Sequence, residues 1–225
     1  MSRSYGDPCG IARALDVVGE RWALLVVREL LLGPKRFTDL RAGLAHLSAD
    51  VLAQRLRELE DAGVVQRAKL PPPAGSRVYE LTDEGKELEP VILALGRWGS
   101  RRPFPESDVA LGVDAFVIAL KTVFDPTRAD HDYTVIELQI EDQVFAAAVA
   151  DGRLEIARGN ADDPKATVSG DAGTLAAVLW HGQPLARSRL TVDGDRKALE
   201  RFFELFRAPR PSNRAAPPAP RSRAA

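Results

Sequence analysis

The side chains best placed to do chemistry in this chain are hydrogen-bond donors at helical spacing. Gln54 and Arg57 stand three residues apart, with Ser48, Asp50 and Ala53 beside them, and Lys69 and Arg77 flank a Pro/Gly-rich break further on. An amide and a guanidinium on one helix face are groups that pair with base edges in a DNA major groove. Lys and Arg on a neighbouring hairpin are groups that neutralise phosphates. Other chemistries find little support. His46, His131 and His181 stand apart, with no Cys, Asp or Glu at metal-ligand spacing. No nucleophile stands beside a base, Asp193-Gly194-Asp195 reads as a turn rather than a phosphate loop, and His181-Gly182 reads as a loop tip. The expectation is no catalytic residue, no metal and no cofactor.

These donors need a helix and a hairpin to hold them, and the sequence supplies both. Ser48 is a good N-cap and Asp50 suits the positive end of the helix. Leu52, Leu56 and Leu59 recur at i, i+4 and i+7 as a buried stripe, which turns Asp50, Ala53, Gln54, Arg57 and Asp61 the other way. Gly63 is placed to end the helix in the left-handed conformation. Val64 and Val65 then start a strand, Pro71, Pro72, Pro73 and Gly75 break it, and Arg77–Leu81 returns with polar and apolar residues alternating. Upstream, Glu20–Leu32 is apolar almost all round, as a central helix would be, and Phe37–Leu44 is a short helix before Ser48. Two short helices followed by a hairpin make a winged helix, whose second helix enters the major groove.

The same residues carry a family resemblance. Cys9, the run GERWALLVVRELLLGPKRFTDLR, the run LAQRLRELEDAGVV, and RVYELTDEG leading into LEPVILALGRWG resemble the HxlR-type branch of winged-helix regulators, which is related to MarR-type proteins. The resemblance spans residues 9 to 99 and implies a DNA-binding transcription regulator. Asp50 departs from it, because members often carry a basic residue there and an acid repels phosphates.

Thr82–Ser100 reads as one long helix with Leu88, Val91, Ile92, Leu95 and Trp98 along one face. That face either packs on its own domain or builds a homodimer; in a winged-helix regulator it more often builds the dimer, together with the N-terminal helix, which assigns Ile92, Leu95 and Trp98 to the interface. Cys9 has two readings as well, a redox-sensing thiol as in some relatives of this type, or a buried inert one.

The chain has 225 residues, 45% hydrophobic and 28% charged, an ordinary globular composition long enough for two domains. The formal net charge of −1 conceals an asymmetry: +2 over residues 1–102, −7 over 103–207 and +4 beyond. DNA attraction therefore belongs to the first part. The expected organisation is a DNA-binding and dimerisation domain over 1–101, a linker over 102–108, a second domain over 109–208 and a disordered Pro/Ala/Arg tail over 209–225. One cysteine, no apolar leader and no run of membrane-spanning length lead to the expectation of a cytoplasmic protein without membrane contact.

The second part reads as a helix over Leu111–Phe124, then strands at Tyr133–Ile140, Gln143–Val149, Arg153–Ala157 and Ala166–Ser169. Asp151-Gly152 signals a type I′ turn. Asp171 caps a helix to Trp180, Leu190–Val192 is a last strand, and Asp195–Arg207 closes as an amphipathic helix. The run ATVSGDAGTLAAVLWHGQPLARSRLTVDGDRKALERFFELF resembles the C-terminal half of a sterol-carrier-protein-like domain. That resemblance implies an α+β fold with one sheet, helices on one side and an apolar tunnel for fatty, acyl or steroid-like ligands. Phe116, Leu120, Leu175, Leu179, Trp180, Leu190, Phe202, Phe203 and Phe206 are the candidate lining, with an ordinary core as the competing reading. Arg187 and Arg189 are candidates for a ligand carboxylate, or else belong to a solvated strand. The combined expectation is a dimeric DNA-binding regulator that senses an apolar small molecule. The competing expectation is an apolar-ligand carrier or protein-interaction module whose winged helix does not bind DNA.

Overall fold

A computed structural model of the chain describes residues 4–72, 75–102, 110–129 and 133–206. Pro73, His131, most of the expected linker and the expected tail lie outside them.

The N-terminal half is a winged helix. It runs through α1 (Gly10–Val18), α2 (Ala23–Leu30), α3 (Phe37–Gly43) and α4 (Ala49–Asp61). The hairpin β1 (Val65–Lys69) and β2 (Arg77–Leu81) follows, then α5 (Asp83–Lys86) and α6 (Glu89–Gly99). Ser48 caps α4 by accepting from the Val51 N–H, and Leu52, Leu56 and Leu59 are buried against α2, as the stripe requires. Gly63 has φ 76°, the left-handed stop expected of it. The hairpin pairs Val65 with Leu81 and Lys69 with Arg77, and Lys35 makes a one-residue bridge to β2 by exchanging backbone hydrogen bonds with Tyr79.

Two helices depart from expectation. The central helix starts at Ala23 rather than Glu20, because Trp22 takes a left-handed φ of 79° at the N-cap. The long helix over Thr82–Ser100 is two helices with a turn at Glu87 and Leu88. Pro90 explains the break: it has no N–H to give the Lys86 carbonyl, its ring clashes there, and it suits the first turn of a new helix.

The C-terminal half has α7 (Val113–Val123), β3 (Thr134–Ile140), β4 (Gln143–Ala150), β5 (Arg153–Arg158), β6 (Ala166–Gly170), α8 (Ala172–Trp180), β7 (Thr191–Gly194) and α9 (Arg196–Phe203). The strands form one mixed sheet in the order β5-β4-β3-β6-β7, parallel only between β3 and β6. Asp151 and Gly152 both have positive φ, as a type I′ turn demands. Period-two alternation puts Ile136, Leu138 and Ile140 with Phe145, Ala147 and Val149 into the core, under the helices. On the opposite face Glu137 accepts from Gln139 and from the Ala161 N–H, where the chain crosses back to β6.

Three boundaries move. The first helix begins at Val113 because Gly112, extended at ψ 152°, is its N-cap. Asp193-Gly194 is strand rather than turn, paired to Thr167 and Ala166. The closing helix stops at Phe203, and Phe206 instead bridges Phe124.

Helix α7 is buried nearly all round and packs on α2 and α6 of the first half as well as on α8 and β5. Gly96 of α6 makes the crossing close, since a Cβ there would meet Thr122 Cγ2 at 2.9 Å. Lys121 pairs with Glu89 at the same crossing.

Candidate nucleic-acid interface

Helix α4 carries Gln54 and Arg57, and the hairpin β1–β2 that follows it carries Lys69 and Arg77. Gln54 and Arg57 are exposed, while Ala53 is half-buried. Gln54 donates to Glu58 at 3.0 Å, so its amide is held on the exposed helix face. Ser48 is spent on its cap, and Asp50 lies exposed in the first turn. Lys69 and Arg77 are exposed, and as Cα partners they place two like charges side by side near the end of the hairpin. Like charges directly opposite disfavour a strand pair unless an anion lies between them. Arg57, Lys69 and Arg77 have no ion-pair partner among the described residues.

Arg55 was missed by the sequence reading and does a different job. It is buried and ion-pairs with Glu58 and, at 3.7 Å, with Glu20, tying α4 to the segment before α2. Its place beside Leu56 on the inward face is legible in the helical period.

On α6, Ile92 is buried against its own chain and not on the open face, which corrects its place in the expected dimer surface. Val91, Leu95 and Trp98 are exposed at i, i+4 and i+7, with the Arg102 guanidinium 4.6 Å from the Trp98 ring. Cys9 is free and exposed rather than buried, and its N–H donates to Asp7 at 2.8 Å.

The expected ligand lining is packed, not open. Phe116, Leu120, Leu175, Phe202 and Phe206 are buried in the continuous core, and Leu179, Trp180, Leu190 and Phe203 pack against it. The rings of Phe116 and Trp180 lie 5.4 Å apart, and those of Phe202 and Phe206 4.9 Å apart. A hollow of about 330 Å³ lies instead beside α9, floored by Val149, Ala198 and Phe202, with Arg128, Arg201 and Glu204 on its rim. Of the nine expected residues only Phe202 lines it. Arg187 and Arg189 are exposed elsewhere. No group of three or more His, Cys, Asp and Glu among the described residues is gathered to hold a metal, and none of their helices is long and apolar enough to cross a membrane.

The family model described as HxlR-like helix-turn-helix matches residues 17–106. The HTH-type transcriptional regulator YvaP of Bacillus subtilis is 41% identical over 88 residues, which are 39% of this chain and 82% of that one. The chain belongs to the HxlR-like helix-turn-helix family. The HTH-type regulator sll1512 of Synechocystis is 36% identical over 107 residues, 44% of this chain and 79% of its own length. YodB of B. subtilis is 34% identical over 88 residues, 39% and 79%. All three relatives of this HxlR-like chain are named as transcriptional regulators, not as enzymes. A separate model, described as alkyl sulfatase C-terminal, matches residues 108–214; it stands where the sequence suggested a sterol-carrier-like half.

Proposed function

We propose that this HxlR-like chain is a dimeric DNA-binding regulator whose C-terminal half senses a largely apolar molecule. The observation that carries the DNA reading is the set of unpaired exposed cations, Arg57 on α4 with the adjacent Lys69 and Arg77 on the hairpin. Arg57 and Gln54 meet base edges, and the hairpin pair meets phosphates, which relieves its cross-strand repulsion. Ser48, Asp50 and Ala53 lie along the same approach. A net charge of only +2 over residues 1–102 favours two copies acting together. Exposed Leu95 and Trp98 on α6 supply the two-fold interface, which spaces two recognition helices by about one turn of DNA, ~34 Å.

The ligand reading rests on three supports: the sterol-carrier resemblance, the model described as alkyl sulfatase C-terminal, and the hollow beside α9. Its volume lies at the lower end of the ~300–1,000 Å³ usual for small-molecule sites. The apolar floor suits an alkyl chain, and Arg201 on the rim is the candidate partner for an anionic head, since Arg128 donates to the Glu204 carbonyl. Ligand and DNA then affect one another reciprocally, by ~1–3 kcal/mol. The competing reading, an apolar-ligand carrier with a silent winged helix, draws on the acid Asp50 at the α4 N-terminus.

Fluorescence anisotropy of random-sequence duplex across a salt series separates the two. Steep salt dependence supports the regulator, and absence of binding at low salt overturns it. Calorimetric titration with decanoate, with and without DNA, tests the sensor; equal affinity in both conditions removes coupling, and no binding removes the ligand site.

A further inference from the structure

A chain of charges with a buried centre runs from the C-terminal half to Lys35, which bridges Tyr79 in the middle of β2. Lys35 stands at its centre. Its Nζ lies 2.7 Å from Glu29 Oε2 and also pairs with Asp114 Oδ2. Glu29, on α2, is completed by Arg28 at 2.7 Å, and Asp114, in the first turn of α7, by Arg158 of β5 at 2.7 Å. Both carboxylates are almost fully buried, at 2% and 3% exposure. Glu29 fits because position 43 is glycine; a Cβ there would lie 2.4 Å from Glu29 Oε2.

Each end of this chain is anchored in a sheet, the hairpin at one end and the five-stranded sheet at the other. The Lys35 backbone donates to the Tyr79 carbonyl at 2.9 Å and accepts from the Tyr79 N–H at 2.8 Å, so Lys35 bridges the free edge of β2 at one residue. At the other end the Arg158 guanidinium lies 4.8 Å from the ring of Phe145, a fully buried residue of the sheet, and also donates to Gln143. Two buried anions bridged by one ammonium hold a narrow geometry, because a lone charge left in that setting is poorly solvated. Asp114 on α7 and the bridge to Tyr79 of the hairpin are therefore joined through a single residue, Lys35.

We infer that Asp114 and Lys35 are a positioning pair through which α7 sets the wing, so that the C-terminal half controls how the hairpin meets a partner. The inference deepens the proposed DNA reading and rests on it for its consequence, while its structural content can be measured without DNA.

The experiment compares Asp114→Asn with the wild-type full chain by amide hydrogen exchange. Exchange at the Lys35 and Tyr79 amides rises about tenfold, while the amides of α4 keep their protection. Arg158→Gln, which removes only the outer support of Asp114, gives the same pattern more weakly and carries the test if Asp114→Asn does not fold. The second arm measures affinity for random-sequence duplex. Asp114→Asn lowers it about threefold to tenfold in the wild type and has no effect in a Lys69→Ala/Arg77→Ala background, because a merely structural role would add in both. Unchanged exchange at Lys35 and Tyr79, or a rise spread equally over α4, overturns the inference. So does a DNA penalty that persists without the wing cations. If exchange responds as expected and the wild type binds no DNA, the positioning pair stands and the DNA reading falls.

Discussion

Replacing Lys69 and Arg77 together by alanine isolates what the wing does. The two are Cα partners across the hairpin and carry no ion pair among the described residues, so each is free to neutralise one phosphate. Each contact contributes about 0.9 to the slope of log affinity against log salt. Two contacts in each of two protomers make ~3.6 units in a dimer, and ~1.8 in a monomer. Between about 50 and 200 mM salt, a fourfold change, the dimer value is a factor of ~150 in affinity that the wild type loses and the variant does not. Stability should move the other way. Removing two like charges that face one another relieves up to ~1 kcal/mol of repulsion, so the variant is expected to melt at the same urea concentration or slightly higher. The assay is anisotropy of labelled duplex across the salt series, beside a urea melt followed by circular dichroism. An unchanged slope refutes phosphate contact by the wing; a reduced slope accompanied by lost stability refutes the argument that these side chains are held for a partner.

The remaining predictions test other parts of the molecule. Arg57→Ala should cost ~1–3 kcal/mol of sequence-selective binding in anisotropy while leaving the melt unchanged; a wild-type value assigns base contact elsewhere on α4. Leu95→Asp/Trp98→Asp should turn a dimer into a monomer in sedimentation at micromolar concentration, and a wild type that is already monomeric removes the α6 interface. Asp171 accepts from the Thr174 hydroxyl and then from its N–H, both at 2.7 Å, and these bonds hold its carboxyl below the usual carboxylate range. Asp171→Ala should therefore cost about 0.5–2 kcal/mol at neutral pH. A carboxyl depressed in the folded state stabilises above its unfolded value and loses that contribution as pH falls through the folded one. The two urea midpoints should accordingly converge below about pH 4.

The winged helix was legible because its signals are local. A cap at Ser48, a leucine stripe, a left-handed Gly63 and a Pro/Gly break each act within a few residues, and each stands where the pattern put it. The Asp151-Gly152 turn and the alternation in β3 and β4 were legible for the same reason. What was not legible depends on distant partners. Leu88, Val91, Ile92, Leu95 and Trp98 share helical spacing, yet only α7 lying across Gly96 decides that Ile92 is inside while Leu95 and Trp98 are outside. The aromatic residues of the C-terminal half read equally well as tunnel or core. The hollow's rim is built by Arg128 and Arg201, which are 73 positions apart and carry no joint signal. Lys35 and Asp114 are equally silent in sequence, because a buried ion pair is made by the packing that brings its members together. The break at Pro90 was readable and was overridden by the periodicity on either side of it.

Helix α7 decides whether the two halves are beads on a string or one cooperative body. Val113, Phe116, Val117, Ile118 and Leu120 are all buried, so the helix has no solvent stripe of the kind a domain's outermost helix keeps. It is shared: one side completes the sheet's core, and another covers α2 and α6. Neither half can release α7 without exposing apolar surface in the other, and the Lys35–Asp114 pair would leave buried charges unmatched. The expectation is a single unfolding transition. Tryptophan reports it, because Trp22 lies in the first half and Trp180 in the second, 5.4 Å from Phe116 of α7. Variants retaining only one of these indoles should melt at the same urea concentration. Ile118→Ala, deleting a buried side chain of α7, should shift both midpoints together by an amount equivalent to ~2–5 kcal/mol. If the Trp22 and Trp180 signals separate, or Ile118→Ala moves only one, α7 belongs to a single half, and a ligand in the C-terminal half has no rigid path to the wing.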